Sequence, residues 1–214
     1  MQEVPLQKTH KPEITLLNVD CMSYMATLPD KAFDLAIVDP PYGIWERFKG
    51  GKTGKMQFNE IVNKQWDIIP TSVYFDELFR VSANQIIWGG NYFQLPPSRG
   101  MIVWDKLISE DFSLAMVELA WTSFDRLAKL FRKATPKTGG KIHPTQKPVA
   151  LYDWLLRNYA KPGQRILDTH LGSGSSAIAA HYFGCDFVGC EIDTDYFNVA
   201  KERFDRETRQ VAMW

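Results

Sequence analysis

Short apolar runs that alternate with helix-patterned stretches restrict this chain more than any other feature. The runs are Ile14–Leu17, Leu35–Val38, Gln85–Trp88, Met101–Trp104, Met116–Trp121, Arg165–Leu167 and Asp186–Cys190. Most are bounded by Gly, Pro, Asp or Asn, as strand ends tend to be. In Pro148–Ala160, Leu151, Trp154 and Leu155 stand at i, i+3 and i+4, and the proline suits a first turn. Ser175–Phe183 is Ala-rich, opened by serines and stopped by Gly184. From Thr194 onward Tyr196, Val199, Ala200 and Phe204 share a face, with Glu202–Arg206 and Asp205–Arg209 spaced for ion pairs. Strands separated by helices predict an α/β fold with a mostly parallel central sheet.

A length of 214 residues suits one domain, 1–214. Apolar residues at 45 % and charged residues at 23 % are globular proportions and exclude a fibrous repeat. No run approaches about eighteen apolar residues and MQEVPLQKTHKP has no secretory core, so a cytoplasmic location without a membrane is expected. Cys21, Cys185 and Cys190 form no CxxC pair and read as reduced thiols; the four scattered histidines suggest no metal site. With 25 basic and 25 acidic side chains, the chain does not bind polyanions with its whole surface. Two stretches are locally basic: 43–64, a loop expected to be mobile, with Lys49, Lys52 and Lys55, and 125–141, with Arg126, Lys129, Arg132 and Lys133 at helical spacing.

Arg165–Ser176, RILDTHLGSGSS, reads as strand, acid, then a glycine pair opening a helix. Gly172 and Gly174 let backbone approach a ligand, and the helix start offers unpaired N–H groups. Glu191, at the end of the next strand, is placed to accept from two ribose hydroxyls. The third glycine of the dinucleotide fingerprint is replaced by Ala177, and no GK[ST] follows. A nucleoside without a pyrophosphate is the ligand class that remains, although GxG alone is also an ordinary tight turn.

Asp39-Pro40-Pro41-Tyr42 follows the run Leu35–Val38, where ligands bind in open α/β sheets. Two prolines remove backbone donors and leave carbonyls free to accept, beside a carboxylate and an aromatic face. That set suits a planar ring with an exocyclic amino group. The bland alternative is a proline-stiffened strand exit with a core tyrosine.

Asp39–Tyr42 resembles the catalytic DPPY motif of S-adenosylmethionine-dependent DNA amino-methyltransferases. Asp168–Gly174 resembles their glycine motif, and His143–Pro148, HPTQKP, the element that precedes it in the permuted beta group. The resemblance runs from about residue 14 to 206 and implies a Rossmann-like methyltransferase fold with circularly permuted motif order. It implies that Asp39 and the Pro40 carbonyl orient the target amine, with Pro41 in the same motif, while Tyr42 stacks on a flipped base. Asp20 and Cys21 would face the adenine of S-adenosylmethionine. Glu191 would hold the ribose with Asp193 nearby, a residue that equally suits a helix N-cap. Thr145 and Lys147 would approach the methionine carboxylate, and Asp168, Gly172, Ser173 and Gly174 would line the methionine end. Thr169 and His170 depart from the usual Pro and Phe, and a lone histidine there reads as a packed neighbour. Segment 106–141 stands where the group inserts its target-recognition region; it is short, so either the recognised sequence is short or a second subunit, in a homodimer, helps read it. The implied function is DNA methylation at adenine N6. Cytosine N4, or an idle DNA-binding module on the same scaffold, are the alternatives.

Overall fold

A computed structural model describes residues 11–43, 68–111, 115–134 and 146–209. Its elements, in chain order, are β1 (Ile14–Leu17), α1 (Cys21–Met25), β2 (Phe33–Val38), α2 (Ser72–Val81), β3 (Ser82–Trp88), a 3₁₀ turn (Gly90–Tyr92), β4 (Met101–Asp105), β5 (Val117–Thr122), β6 (Lys129–Arg132), α3 (Val149–Tyr159), β7 (Arg165–Asp168), α4 (Ser175–Phe183), β8 (Asp186–Cys190) and α5 (Thr194–Thr208). All seven expected strands form. Pro148 stands at the N-cap of α3 rather than inside its first turn. On α5, Asp205 pairs with Arg209 as expected, Arg206 lies against Glu207, and Val199 is exposed.

The strands make one sheet in the order β1-β8-β7-β2-β3-β5-β4-β6. Every neighbouring pair is parallel except the two that β5 makes, with β3 and β4. Central strands of parallel sheets are covered on both faces and lose their polar alternation. β2 does so: of FDLAIV, only Asp34 escapes full burial. Leu35 and Ile37 point into a core shared with α3, α4 and Ala200 of α5; Ala36 and Val38 point into a second core with Met25 of α1 and Tyr74, Phe75, Leu78 and Val81 of α2. The result is a sheet between two helical layers.

The chain leaves β2 for β3 on one side and leaves β7 for β8 on the other, so β2 and β7 flank a topological switch point, where open α/β sheets bind ligands. The register Ala36↔Leu167 sets the ends of these strands side by side. Asp39 follows one and Asp168 ends the other. The DPPY corner and the glycine turn therefore share one rim of the sheet.

The expected basic helix over 126–133 does not form. Lys129–Arg132 is strand β6, paired with β4 from Ile102↔Lys129 to Asp105↔Arg132. Its alternation turns Lys129 and Phe131 inward and Leu130 and Arg132 outward, so the four cations share no face.

Candidate active site

Asp39 is the first residue beyond β2, and both its oxygens are engaged. Oδ1 accepts a short hydrogen bond from the Tyr42 hydroxyl; Oδ2 accepts from Lys147 Nζ at 2.5 Å. Lys147 lies just before α3, and its side chain is 2 % exposed. Its ammonium also reaches Glu118 Oε2 of β5 at 3.0 Å, while Glu118 Oε1 meets Lys106 Nζ at 2.6 Å. Burial alone would push the Lys147 ammonium down, but Asp39 and Glu118 outweigh it and hold its pKa above the ordinary value. Burial likewise opposes the Glu118 charge, yet Lys147 and Lys106 hold that carboxyl below its usual range. Burial and the Asp39 carboxylate raise the Tyr42 phenol well above its usual range, so it remains a donor.

An aromatic cluster sets the Tyr42 ring. Tyr92 stacks on it at 5.0 Å between centroids and 19°, and Phe93 meets it edge-on at 6.1 Å. Gly89, at φ +68°, makes this possible, because a Cβ there would stand 2.2 Å from Tyr42 Cε1. Sequence reasoning missed Gly89, Tyr92 and Glu118. The dipeptide Gly89-Gly90 after a strand was the available signal for the first.

Across the switch point, the turn after β7 places two glycines in the left-handed region, Gly172 at φ +52° and Gly174 at φ +73°. Gly174 is the N-cap of α4, so no side chain caps the first turn. Asp168 is buried: Oδ1 accepts from His170 N at 3.0 Å and Oδ2 from Ser176 Oγ at 2.6 Å. Burial pushes its carboxyl up to about 7. Ser173 is buried as well, and its hydroxyl lies 3.2 Å from that of Ser175. Arg203 of α5 clamps this turn, donating from Nη1 to Ser173 O at 2.9 Å and Ser175 Oγ at 3.0 Å. It too escaped sequence reasoning.

Glu191 leaves β8 with Oε2 accepting from Gly172 N and Oε1 from Asp193 N, each at 3.0 Å, which ties the strand end to the glycine turn. Asp193 caps α5, accepting from the N–H groups of Asp195 and Tyr196. Asp20 caps α1, accepting from Ser23 N at 2.8 Å. Burial pushes the adjacent Cys21 thiol up to about 12, so it stays protonated. Thr169 and His170 form a packed network: Tyr74 Oη lies 2.6 Å from Thr169 Oγ1, which lies 2.9 Å from His170 Nδ1. Burial pulls the imidazole down to about 4, and the Tyr74 ring packs on it edge-on.

Thr145, Lys49, Lys52 and Lys55 lie outside the described residues, as do most of 43–64 and 135–141. Lys147, expected to approach the methionine carboxylate, bonds Asp39. Arg126 and Lys129 are drawn to α3, donating to Asn158 O at 2.7 Å and Asn158 Oδ1 at 2.6 Å; Arg132 pairs with Asp105 at 3.2 Å, and Lys133 is exposed. Among the described residues no cluster of ligating side chains could hold a metal ion, and no helix is long and apolar enough to cross a membrane.

A sequence model described as DNA methylase, of the N6/N4 methyltransferase type, matches residues 70–202. The chain belongs to this DNA methylase family. The match starts beyond Asp39–Tyr42, so the place of that corner rests on its geometry. Among relatives, the putative methylase YubD of Escherichia coli (strain K12) is 25 % identical over 200 residues, covering 86 % of this chain and 87 % of its own. The type II methyltransferase M.HinfI of Haemophilus influenzae is 25 % identical over 243 residues, covering 88 % and 67 %. Among solved structures, the PvuII DNA methyltransferase (cytosine-N4-specific) superposes with a TM-score of 0.61 at 12 % identity, covering 95 % of this chain and 91 % of that one. TTHA0409 of Thermus thermophilus, a putative DNA modification methylase complexed with S-adenosyl-L-methionine, gives 0.59 at 18 % identity, covering 93 % and 95 %. These are Rossmann-like methyltransferase folds, and this DNA methylase shares that architecture.

Proposed function

We propose that this protein methylates the exocyclic N6 of adenine in DNA, with S-adenosylmethionine as methyl donor. The observation that carries the reading is the common rim: Asp39 and Tyr42 at the end of β2, beside the Asp168–Gly174 turn at the end of β7. The residues present fit the cofactor. Left-handed Gly172 and Gly174 leave no side chain on either side of Ser173, and a Cβ on Gly174 would come 3.3 Å from Ala200 O. Each oxygen of Glu191 takes one backbone N–H and keeps a lone pair for a ribose hydroxyl. When bound, the cofactor supplies an electrophilic methyl group on a sulfonium.

The chain's own residues supply position and charge. The base must leave the duplex, at a few kcal/mol, and stacking on Tyr42 offsets part of that. An aromatic amine is a poor nucleophile because its lone pair is delocalised. Hydrogen bonds from its two N–H groups to Asp39 and the Pro40 carbonyl favour a pyramidal nitrogen with the lone pair aimed at the methyl carbon. Asp39 would accept the surplus proton that methylation leaves on the nitrogen and pass it to solvent. Lys49, Lys52 and Lys55 would contact phosphates without reading bases.

The acidic first letter of DPPY favours adenine, since the cytosine enzymes of the resembled family more often carry Ser there. Cytosine N4 is the second reading, on the strength of the fold shared with PvuII methyltransferase. Radiolabelled transfer to unmethylated DNA followed by nucleoside analysis separates the two. Asp39→Ala should abolish transfer and leave cofactor affinity nearly intact. Equal loss of both would remove Asp39 from its role.

A further inference from the structure

Lys147 lies between two carboxylates from distant parts of the chain, Asp39 after β2 and Glu118 on β5. Glu118 is itself shared with Lys106, the residue that follows β4. Charges alternate along the row Asp39, Lys147, Glu118, Lys106 and sum to zero. The other titratable groups around it are Tyr42, Tyr74 of α2, Tyr152 of α3 and Asp168 at the end of β7. The rings of Trp88 and Tyr42 stand 5.2 and 6.0 Å from the ammonium.

This arrangement answers a difficulty in the reading above. A buried ammonium with Asp39 as its sole partner would form a closed pair and compete with the amine for the same acceptor. A second carboxylate lets the ammonium move from one charge-assisted bond to another, so little is lost when Asp39 turns to the base. Lys147 has three N–H donors and can divide them.

We propose that Glu118 is a positioning residue for methyl transfer: its Oε2, 3.0 Å from the Lys147 ammonium and holding no hydrogen bond while Lys147 bonds Asp39, takes that ammonium over when the target amine arrives. Lys106 acts through Glu118 by fixing its other oxygen. The proposal rests on the methyltransferase reading.

The test is Glu118→Gln in the full chain, which keeps shape and removes charge. The turnover rate should fall roughly ten- to hundredfold, the scale of a misplaced reacting group, while the cofactor Kd and the DNA KM stay within about twofold. Lys147 then loses one of two carboxylates that keep it protonated, so the alkaline limb of the rate profile should move to lower pH. Adding Lys106→Met to Glu118→Gln should cost nothing further. An unchanged rate and unchanged alkaline limb would overturn the proposal. So would a rate loss matched by a collapse in cofactor binding and melting temperature, which marks a structural role. Lys106→Met alone leaves both carboxylates in place. It should lower the rate severalfold, because Glu118 loses the partner that fixes its other oxygen and presents Oε2 less well to Lys147, and wild-type turnover there would also refute the idea. Wild-type protein is the reference arm. If it labels no DNA, the methyltransferase reading fails; if it labels DNA and the variants match it, only the role of Glu118 fails.

Discussion

Gly89→Ala offers a sharp test of how the fold sets Tyr42, because two costs of different origin can be separated. An alanine at φ +68° carries left-handed strain of ~1–2 kcal/mol. Its Cβ would also stand 2.2 Å from Tyr42 Cε1 and 2.6 Å from Cδ1 and Cζ. No contact survives at that distance, so the ring must swing aside. It would give up the stack on Tyr92, worth ~0.5–1.5 kcal/mol, and its hydrogen bond to Asp39. Strain and lost stacking together, ~1.5–3.5 kcal/mol, lower the melting temperature by ~3–14 °C in a chain of this size. Methyl transfer should fall about a hundredfold, since a reacting surface has moved by about an ångström or more. Cofactor affinity should not change, because the glycine turn belongs to β7 and α4. Gly163→Ala is the control: φ is +83°, but nothing lies within 4 Å of its added Cβ, so strain alone remains, ~1–2 kcal/mol, with full activity. Calorimetry and single-turnover transfer read the two quantities. Equal activity of the two variants would refute the argument that Gly89 exists to admit Tyr42.

Two further predictions concern the cofactor side. Asp168, raised by burial to about 7, contributes stability that is full below about pH 4 and lost as pH rises through 7. His170, lowered by burial to about 4, contributes stability that is full above pH 6.5 and lost as pH falls through 4. The two slopes oppose each other. Relative to wild type, Asp168→Asn should melt progressively lower on acidification and His170→Gln progressively higher, and parallel melting curves against pH would exclude the coupling of burial to charge. Arg203→Met removes two hydrogen bonds from the glycine turn, each charge-assisted and worth ~1.5–3 kcal/mol. Cofactor Kd should rise about tenfold or more with turnover at saturation retained; unchanged affinity in isothermal titration would show that the turn holds without its clamp.

What the sequence determined by itself is local. Apolar runs bounded by Gly, Pro and Asp located seven strands, because punctuation and burial on both faces leave their mark within a few residues. The DPPY corner and the glycine turn were legible as motifs, and helix α4 to the residue, since Gly184 at φ +87° ends it by a backbone preference of its own. Helix α2 was missed although Tyr74, Phe75, Leu78 and Val81 mark one face. Strand β6 was misread because Arg126, Lys129, Arg132 and Lys133 fit a helical stripe, and nothing within LFR announces that β4 supplies its hydrogen bonds. Asp20 and Asp193 look alike as ligand candidates and as caps; the N–H groups they accept from exist only once the helices do. Lys147 is the plainest case. Its motif implied an approach to the methionine carboxylate and said nothing of its partners at residues 39 and 118, brought together only when β2, β5 and the start of α3 pack at one rim. Charge pairing and steric room, as at Gly89 and Tyr42, depend on distance in space, and that distance is fixed by strand order rather than by neighbours in the chain.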